Sequence, residues 1–345
     1  MTDSQQDEMD LPRRWFLGGA AALASVPLAL TAAKASETET STDDVAQRIL
    51  GLFAKLPGDI SLKVFAPPCN GGPALRVNLA PARRMFVGSA IKTFVLAEAL
   101  RQADGPDVVQ KITQRQLALN ASVWSLDSAT FNPPELSGLV SERTTLEAMI
   151  MHSDNTGTDM SLKLVGPDRV RAFIAAAGLS STQIPDSTRS FFGYLLGAPD
   201  YKTFTWAQIV AAANDPIVNS PLNNTETLAS SANDFVSYYA HALQGGFFRN
   251  KETLDEFRRI LSLGDAIWLV PLPLGVSAFV KGGSIDVPGF HALCVPGGML
   301  VASRWVYFCF TINWYASAET DPGTVAAFAA ATSRALKIVK QKLSG

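Results

Sequence analysis

Three short polar strings in this chain combine residue types and spacings that suit attack on a carbonyl group. Ser89 and Lys92 are three residues apart in the first string, residues 153–155 read Ser-Asp-Asn, and residues 281–283 read Lys-Gly-Gly. A serine hydroxyl is a poor nucleophile until a base removes its proton. A lysine amine can be that base when burial or a nearby cation lowers its pKa. The strings therefore indicate a serine nucleophile with a lysine partner.

The local sequence predicts that Ser89 lies at the start of a helix. Gly88 and Ser89 precede residues 91–101, which are apolar almost all round. Backbone N–H groups are unpaired at a helix start and favour an oxyanion there. Lys92 falls on the same helix face as Ser89, one turn later. Taken alone, the pair is explained more simply by a helix cap and a solvated lysine.

Together and in this order, the three strings resemble the active-site signature of the class A serine β-lactamases and the wider penicillin-binding superfamily, S-x-x-K, S-D-N and K-T-G. The resemblance implies that Ser89 is the nucleophile and that Lys92 accepts its proton. It also implies that Ser153 passes a proton to the leaving group, that Lys281 supplies positive charge nearby, and that Asn155 binds the substrate amide. By itself, the second string would also fit a polar turn with Asx capping.

The third string departs from the family pattern. Gly282 stands where the family has a hydroxyl that helps to hold the substrate carboxylate. Ser284 and His291 are expected to take over parts of this task, the alternative for His291 being a strand histidine with no catalytic role. The resemblance places the oxyanion hole at the backbone N–H groups of Ser89 and Ser284. Gly283 lacks a side chain and would let the substrate approach the strand closely.

A second departure lies between the second and third strings. Class A β-lactamases carry there a glutamate that positions the water for hydrolysis of the acyl-enzyme, whereas no glutamate occurs here between Glu147 and Glu226. The corresponding residues 187–196 are aromatic and apolar, and Phe191 and Phe192 are hypothesised to shape a pocket for a bulkier substrate. The candidate bases for deacylation, each with a surface role as the alternative, are Asp186, Asp200 and Glu226.

The first residues have the form of an export signal. Arg13 and Arg14 precede an apolar run over residues 18–33, and Ala33-Lys34-Ala35 fits a small-x-small cleavage site. These features are typical of a twin-arginine signal peptide over residues 1–35. An uncleaved membrane anchor is the alternative, but the run is short and is interrupted by glycine and proline. We expect a periplasmic or secreted protein that does not bind the membrane after signal removal.

Composition excludes several classes of function. The chain has 345 residues, of which 47% are hydrophobic, and a formal net charge of -2. This is an ordinary globular balance, and no basic stripe indicates nucleic acid. Because the three histidines are scattered without ligand spacing, we expect no metal and no cofactor. The expected partner is a small-molecule or peptide substrate, and the expected state is a monomer.

The order of predicted elements indicates an α/β protein of the α+β kind. Strands at 60–65 and 74–79 follow a first helix, a long helical block comes next, and three strands within 276–312 precede the last helix. This order predicts a five-stranded antiparallel sheet flanked by helices, with an inserted all-helical region. The resemblance implies the same β-lactamase-like fold. Residues 36–345 would form one domain, with a sheet part at about 42–82 and 270–345 and a helical part at about 83–269.

Cys294 and Cys309 lie in two apolar runs that flank residues 296–298. A hairpin centred near residues 301 and 302 would make the two thiols face each other, which allows a disulfide in an oxidising compartment. Two buried free thiols are the simpler expectation.

The sequence thus predicts an exported serine acyl hydrolase that is β-lactamase-like and forms an acyl-enzyme. One alternative is a D-alanyl-D-alanine peptidase or transpeptidase, or another amide or ester hydrolase that lacks the deacylating glutamate. Another alternative is a non-turnover sensor that β-lactams acylate. The leading prediction and its two alternatives differ in the fate of the acyl-enzyme.

Overall fold

The structure is a computed structural model that describes residues 42–69 and 72–344. The twin-arginine signal and its cleavage site, expected within residues 1–35, lie outside the described residues. In the part of the chain that is described, no helix is both long enough and apolar enough to cross a bilayer.

The helices and strands of the described residues have the following bounds. The helices are α1 Thr42–Phe53, α2 Lys92–Ala103, α3 Val108–Gln114, α4 Glu142–Met151, α5 Asn155–Val165, α6 Pro167–Ala176, α7 Thr188–Leu195, α8 Trp206–Ala212, α9 Ala232–Ala242, α10 Lys251–Leu261, α11 Ala266–Leu269 and α12 Pro322–Ser344. The strands are β1 Asp59–Ala66, β2 Leu75–Leu79, β3 Met85–Phe86, β4 Gln116–Leu119, β5 Gly138–Ser141, β6 Ala229–Ser230, β7 Ser277–Val280, β8 Gly283–Val287, β9 Phe290–Val301 and β10 Arg304–Trp314.

The main sheet is antiparallel, with strand order β2-β1-β10-β9-β7, and β8 pairs with β9 beyond the end of β7. The predicted fold class is therefore confirmed, with two differences. The inserted region is not all-helical, because it holds the short strand pairs β3–β6 and β4–β5. The outer strand of the main sheet is broken into two segments at Lys281 and Gly282. The break has a local cause. Lys281 N donates to the carbonyl of Pro296 at 3.4 Å, but Pro296 has no N–H to return the bond. Gly282 N donates instead to Asp265, at 2.8 Å.

The hairpin between β9 and β10 sets the positions of the two buried cysteines. Its turn is formed by Ala302 and Ser303, both with positive φ, as the right-handed twist of a two-residue hairpin favours. The register is one residue later than expected, so Cys294 pairs with Thr311 and Cys309 pairs with Pro296. The two thiols are diagonal neighbours, with their sulfurs 3.9 Å apart, and both are free.

Two hydrophobic cores lie on the two faces of this sheet. On one face, α1 and α12 pack against β10, where Phe53 stacks on Phe310 and meets the edge of Phe328. On the other face, the helical region surrounds α2, whose apolar residues are buried nearly all round. Phe94 of α2 packs against Phe235 and Tyr238 of α9. The helix that carries Lys92 is therefore held on every side.

A single asparagine links the central strand to the segment that leads into α2. Asn313 in β10 accepts a hydrogen bond from Phe86 N and donates one to Phe86 O, both at 2.9 Å. Asn313 and Phe86 are both buried. Phe86 lies three residues before Ser89, so this pair of bonds fixes the approach of the chain to Ser89.

We predict that Asn313→Ala lowers the free energy of unfolding by about 2–4 kcal/mol, because two buried backbone groups of Phe86 lose their partners and each such loss costs about 1–3 kcal/mol. Urea unfolding measures the change. Asn78→Ala is the matched control, because Asn78 is an exposed asparagine of β2 in the same sheet. Equal effects of the two substitutions would contradict the role assigned to Asn313.

Candidate active site

Ser89 lies in a short 3-10 turn, Gly88–Ile91, that runs directly into α2. The side chain is almost fully buried. Gly88 has φ +52, and a Cβ there would lie 2.8 Å from Ser284 N and 2.6 Å from Ser284 O. Only glycine fits both the backbone angle and the space. The structure thus places Ser89 at the helix start that the sequence predicts.

Lys92 is completely buried one turn after Ser89 and points at the second polar string. Its Nζ donates to Asn155 Oδ1 at 2.7 Å and to the carbonyl oxygen of Ser153 at 2.5 Å. Ser153 Oγ lies 3.3 Å from the same Nζ. The interpretation of Lys92 as a solvated side chain is therefore wrong.

The string at residues 153–155 is held in an unusual backbone conformation. Ser153 has φ +55, which a non-glycine residue adopts only when its surroundings impose it. Asp154 Oδ1 caps α5 by accepting from Gly157 N at 2.7 Å, and its Oδ2 accepts from Phe131 N at 3.0 Å. Asn155 Nδ2 donates to the carbonyl of Leu126 at 2.9 Å. These bonds fix the side chains of Ser153 and Asn155 toward Lys92.

Lys281 reaches the same hydroxyl from the broken edge strand. Its buried Nζ donates to Ser153 Oγ at 3.1 Å, to Asp265 Oδ2 at 2.7 Å and to the carbonyl of Gly282 at 2.6 Å. Ser153 Oγ therefore lies between two ammonium groups that are 189 residues apart in the chain (281 − 92). The structure brings together Ser153, Asn155 and both lysines beside the turn that carries Ser89.

Burial lowers the pKa values of both lysines, and the charge of Lys281 lowers the pKa of Lys92 further. Removal from water, followed by the positive charge of Lys281, lowers the pKa of Lys92 to about 7. Burial also lowers the pKa of Lys281, while the carboxylate of Asp265 opposes that shift. A large fraction of Lys92 is therefore neutral near pH 7, and a neutral amine can accept the proton of a hydroxyl.

The edge strand and the turn at Ser89 are in direct backbone contact. A Cβ at Gly283 would lie 2.0 Å from Val87 O and 2.8 Å from Ser89 N, so no side chain fits there. Gly283 and Ser284 are half-buried. The backbone N–H groups of Ser89 and Ser284, expected to form an oxyanion hole, are thus carried by two segments that touch.

His291 does not join this cluster, which corrects the expectation that it helps to hold a substrate carboxylate. It is fully buried on β9, shares a hydrogen bond between its Nδ1 and Asp286 Oδ1, and stacks on Trp314. Trp314 belongs to the core beneath α1 and α12. Side chains alternate between the two faces of the sheet along β9, and His291 faces that core.

The aromatic stretch before Glu226 is a helix rather than a pocket wall. Ser187 and Ser190 form a capping box that starts α7. Phe191 and Phe192 are each 1% exposed and belong to the core around α2. The hypothesis that they shape a substrate pocket is therefore wrong.

The three candidate deacylation bases have other partners. Buried Glu226 accepts from Ser190 Oγ at 2.6 Å, and burial raises its pKa, so a surface role for it is wrong. Asp186 pairs with Arg171 and Lys202, and exposed Asp200 accepts from Gln208 Nε2. Their partners lie on α6, α7 and α8 and in the segment between α7 and α8.

Three acidic residues close to the lysines are not predicted by the sequence analysis. Asp265 binds Lys281, as described. Asp159, one turn after Asn155 in α5, accepts from Thr188 N at 2.6 Å and anchors the start of α7; burial raises its pKa to about 6. Burial also raises the pKa of Asp127 to about 7, against the charge of Lys92. Only the i, i+4 spacing of Asn155 and Asp159 offered a signal in the sequence.

Within residues 42–69 and 72–344, no group of three or more His, Cys, Asp or Glu side chains is arranged to hold a metal ion.

The described fold is similar to those of solved structures. A TLA-3 extended-spectrum β-lactamase superposes with a TM-score of 0.67 at 15% identity, covering 88% of this chain and 100% of that one. A class A β-lactamase from Bacteroides cellulosilyticus gives 0.65 at 16% identity, covering 88% and 100%. A PBP-A variant, solved as an acyl-enzyme complex with penicillin G, gives 0.62 at 15% identity, covering 88% and 97%. No curated protein sequence matches the chain.

The sequence itself carries the family relationship. Residues 44–266, well over half of the chain, match the sequence profile of the Beta-lactamase enzyme family. This chain therefore belongs to the Beta-lactamase enzyme family and is a serine hydrolase of that family.

Proposed function

We propose that the protein is an exported serine acyl hydrolase in which Ser89 forms an acyl-enzyme with an amide, lactam or ester. One observation carries this proposal: Ser153 Oγ lies 3.3 Å from Lys92 Nζ and 3.1 Å from Lys281 Nζ, beside the helix start that holds Ser89. A hydroxyl between two amines, one of them with a pKa near 7, suits proton transfer to a leaving group.

In the proposed reaction, Ser89 Oγ attacks the carbonyl carbon and its proton passes to Lys92 Nζ. As the bond from this carbon to the leaving nitrogen or oxygen breaks, Ser153 Oγ gives its proton to the leaving atom and takes one from Lys92 Nζ. Lys281 stays charged and stabilises negative charge on Ser153 Oγ during the transfer. Water then cleaves the ester on Ser89, which releases the acid and restores the hydroxyl.

The backbone N–H groups of Ser89 and Ser284 are the proposed donors to the oxyanion of the tetrahedral intermediate. Each such donor contributes roughly 3 kcal/mol in comparable sites. Asn155 is proposed to bind the substrate amide, and Gly283 allows the substrate to approach the edge strand. The proposed residues thus supply a nucleophile, a base, a proton relay and an oxyanion hole.

Deacylation is proposed to be slow. The segment between α6 and α8 has no glutamate, and Glu226 is already bonded to Ser190 and Asp186. This absence favours a second candidate function, a D-alanyl peptidase or transpeptidase or a sensor that stays acylated, over rapid hydrolysis. The form of residues 1–35 supports export and a periplasmic or secreted location.

We predict that Ser89 is acylated by a chromogenic cephalosporin, by para-nitrophenyl acetate, or by both, and that Ser89→Ala lowers acylation about a thousandfold or more. Intact mass shows the adduct, and absorbance follows the product. Ser122→Ala is the control, because Ser122 is an exposed serine outside the cluster. Rapid product from the cephalosporin supports a β-lactamase, and a stable adduct supports a peptidase or sensor. Wild-type protein that gives no adduct on Ser89 with either reagent contradicts the proposal.

We predict that the acylation rate rises with pH, with a midpoint near 7. Lys92 accepts the proton only when neutral, and burial with the Lys281 charge sets its pKa to about 7. Below this pKa the base is protonated, and above it the base is free. Lys281→Met removes the repelling cation, so we expect the midpoint to move to higher pH.

Acylation rates measured from pH 5 to pH 9 test this expectation. Lys251→Met is the control, because Lys251 forms an exposed ion pair with Asp255 on α10. A rate that is independent of pH, or the same midpoint in wild type and Lys281→Met, would show that Lys92 is not the base.

A further inference from the structure

The carboxylate of Asp265 already accepts hydrogen bonds from the donors on the edge-strand side of the cluster. Asp265, the residue before α11, has a side chain that is 25% exposed. Its Oδ2 binds Lys281 Nζ at 2.7 Å, and its Oδ1 accepts from Gly282 N at 2.8 Å. A charged amine and a backbone N–H side by side are the donors that would bind a carboxylate of a substrate. Here the chain provides that carboxylate itself.

Asp265 also fills the space next to Gly282. A Cβ at Gly282 would lie 3.1 Å from Asp265 Oδ1 and 3.3 Å from Ala266 Cβ. Any side chain at position 282, including one with a hydroxyl, would press on Asp265 and Ala266 at its Cβ, so these neighbours would have to shift by a few tenths of an ångström. The absence of a side-chain hydroxyl at position 282 therefore goes together with the presence of the Asp265 carboxylate beside it.

The surrounding charge is unfavourable for a second anion. Lys281 is the ammonium group nearest to this place, and Asp265 balances its charge. The negative charges of Asp154, Asp159 and Asp265 also act on Lys92, and Lys92 acts on Asp127. A substrate carboxylate brought beside Asp265 would meet a like charge in a largely buried site, where repulsion is weakly screened.

We propose that the site selects acyl donors that carry no carboxylate on the leaving-group side of the scissile bond, because Asp265 holds the place of that carboxylate. The leaving-group side is defined by Ser153, to which Lys281 donates a hydrogen bond. The substrate class is therefore esters, amides or lactams with an uncharged leaving group. Among the candidate functions this disfavours a D-alanyl-D-alanine peptidase, because the D-alanine that leaves carries a carboxylate. This inference rests on the proposed acyl transfer to Ser89.

Two matched pairs of acyl donors test it in the wild-type protein. The first pair is a cephalosporin with its free carboxylate and the methyl ester of the same cephalosporin. The second pair is para-nitrophenyl acetate and its analogue with a carboxylate on the phenol ring. The rate of adduct formation on Ser89 is divided by the rate of hydroxide-catalysed hydrolysis of each compound. We expect the uncharged member of each reactive pair to acylate Ser89 about tenfold faster or more.

The Asp265→Asn variant tests whether the Asp265 carboxylate causes the preference for uncharged compounds. The amide keeps the size of the side chain and an oxygen acceptor for Gly282 N, but it leaves the charge of Lys281 unbalanced. We expect the preference for the uncharged compound to fall to about equality or to reverse. Asp255→Asn is the matched control, because it breaks an exposed lysine–aspartate pair on α10, and its preference is expected to equal that of wild type.

The outcomes separate this inference from the proposed function. If neither pair acylates Ser89, the acyl-transfer proposal fails and this inference fails with it. If Ser89 is acylated but the carboxylate compounds react as fast as the uncharged ones or faster, only the selection by Asp265 is wrong. An unchanged preference in a folded Asp265→Asn protein, checked by thermal unfolding, overturns the role of Asp265.

Discussion

Two buried ammonium groups around one hydroxyl are the constraint to which the rest of the site conforms. Lys92 and Lys281 repel each other, and neither is exposed to water. They remain buried because acceptors surround them: Asn155 and the carbonyl of Ser153 for one, Asp265 and the carbonyl of Gly282 for the other. Loss of one partner from a buried charge costs about 3–5 kcal/mol. The left-handed backbone of Ser153 and the break in the edge strand both serve to present these acceptors.

The elements that carry the site were predictable because their signals are local. The apolar run after Ser89, the Ser-Asp-Asn string and the strands at 60–65 and 74–79 each depend on residues within a few positions of one another. Their order along the chain then indicated the sheet and its helical insertion. The convergence of Lys92 and Lys281 on Ser153 followed only from the resemblance of the three strings to a known signature.

The errors arose where the outcome depends on register or on distant partners. The sequence predicts a substrate-binding part for His291, but a strand residue faces one core or the other according to pairing that the sequence does not specify. A shift of one residue likewise turned Cys294 and Cys309 into diagonal neighbours. Asp265 gave no signal, because it lies in a short segment without periodicity and meets Lys281 only through the tertiary fold. The aromatic residues Phe191 and Phe192 suit a pocket wall and a packed core equally well by composition.

The close fit of Gly282 and Asp265 restricts how descendants of this chain could diverge. A hydroxyl-bearing residue introduced at position 282 alone would crowd the carboxylate, which lies 3.1 Å from the Cβ that it would add. Loss of Asp265 alone would strip Lys281 of its counter-ion. Each of these single changes is unfavourable by itself, so the two neighbouring positions constrain each other. A lineage with this pair would therefore tend to retain it, whatever substrates its environment offered.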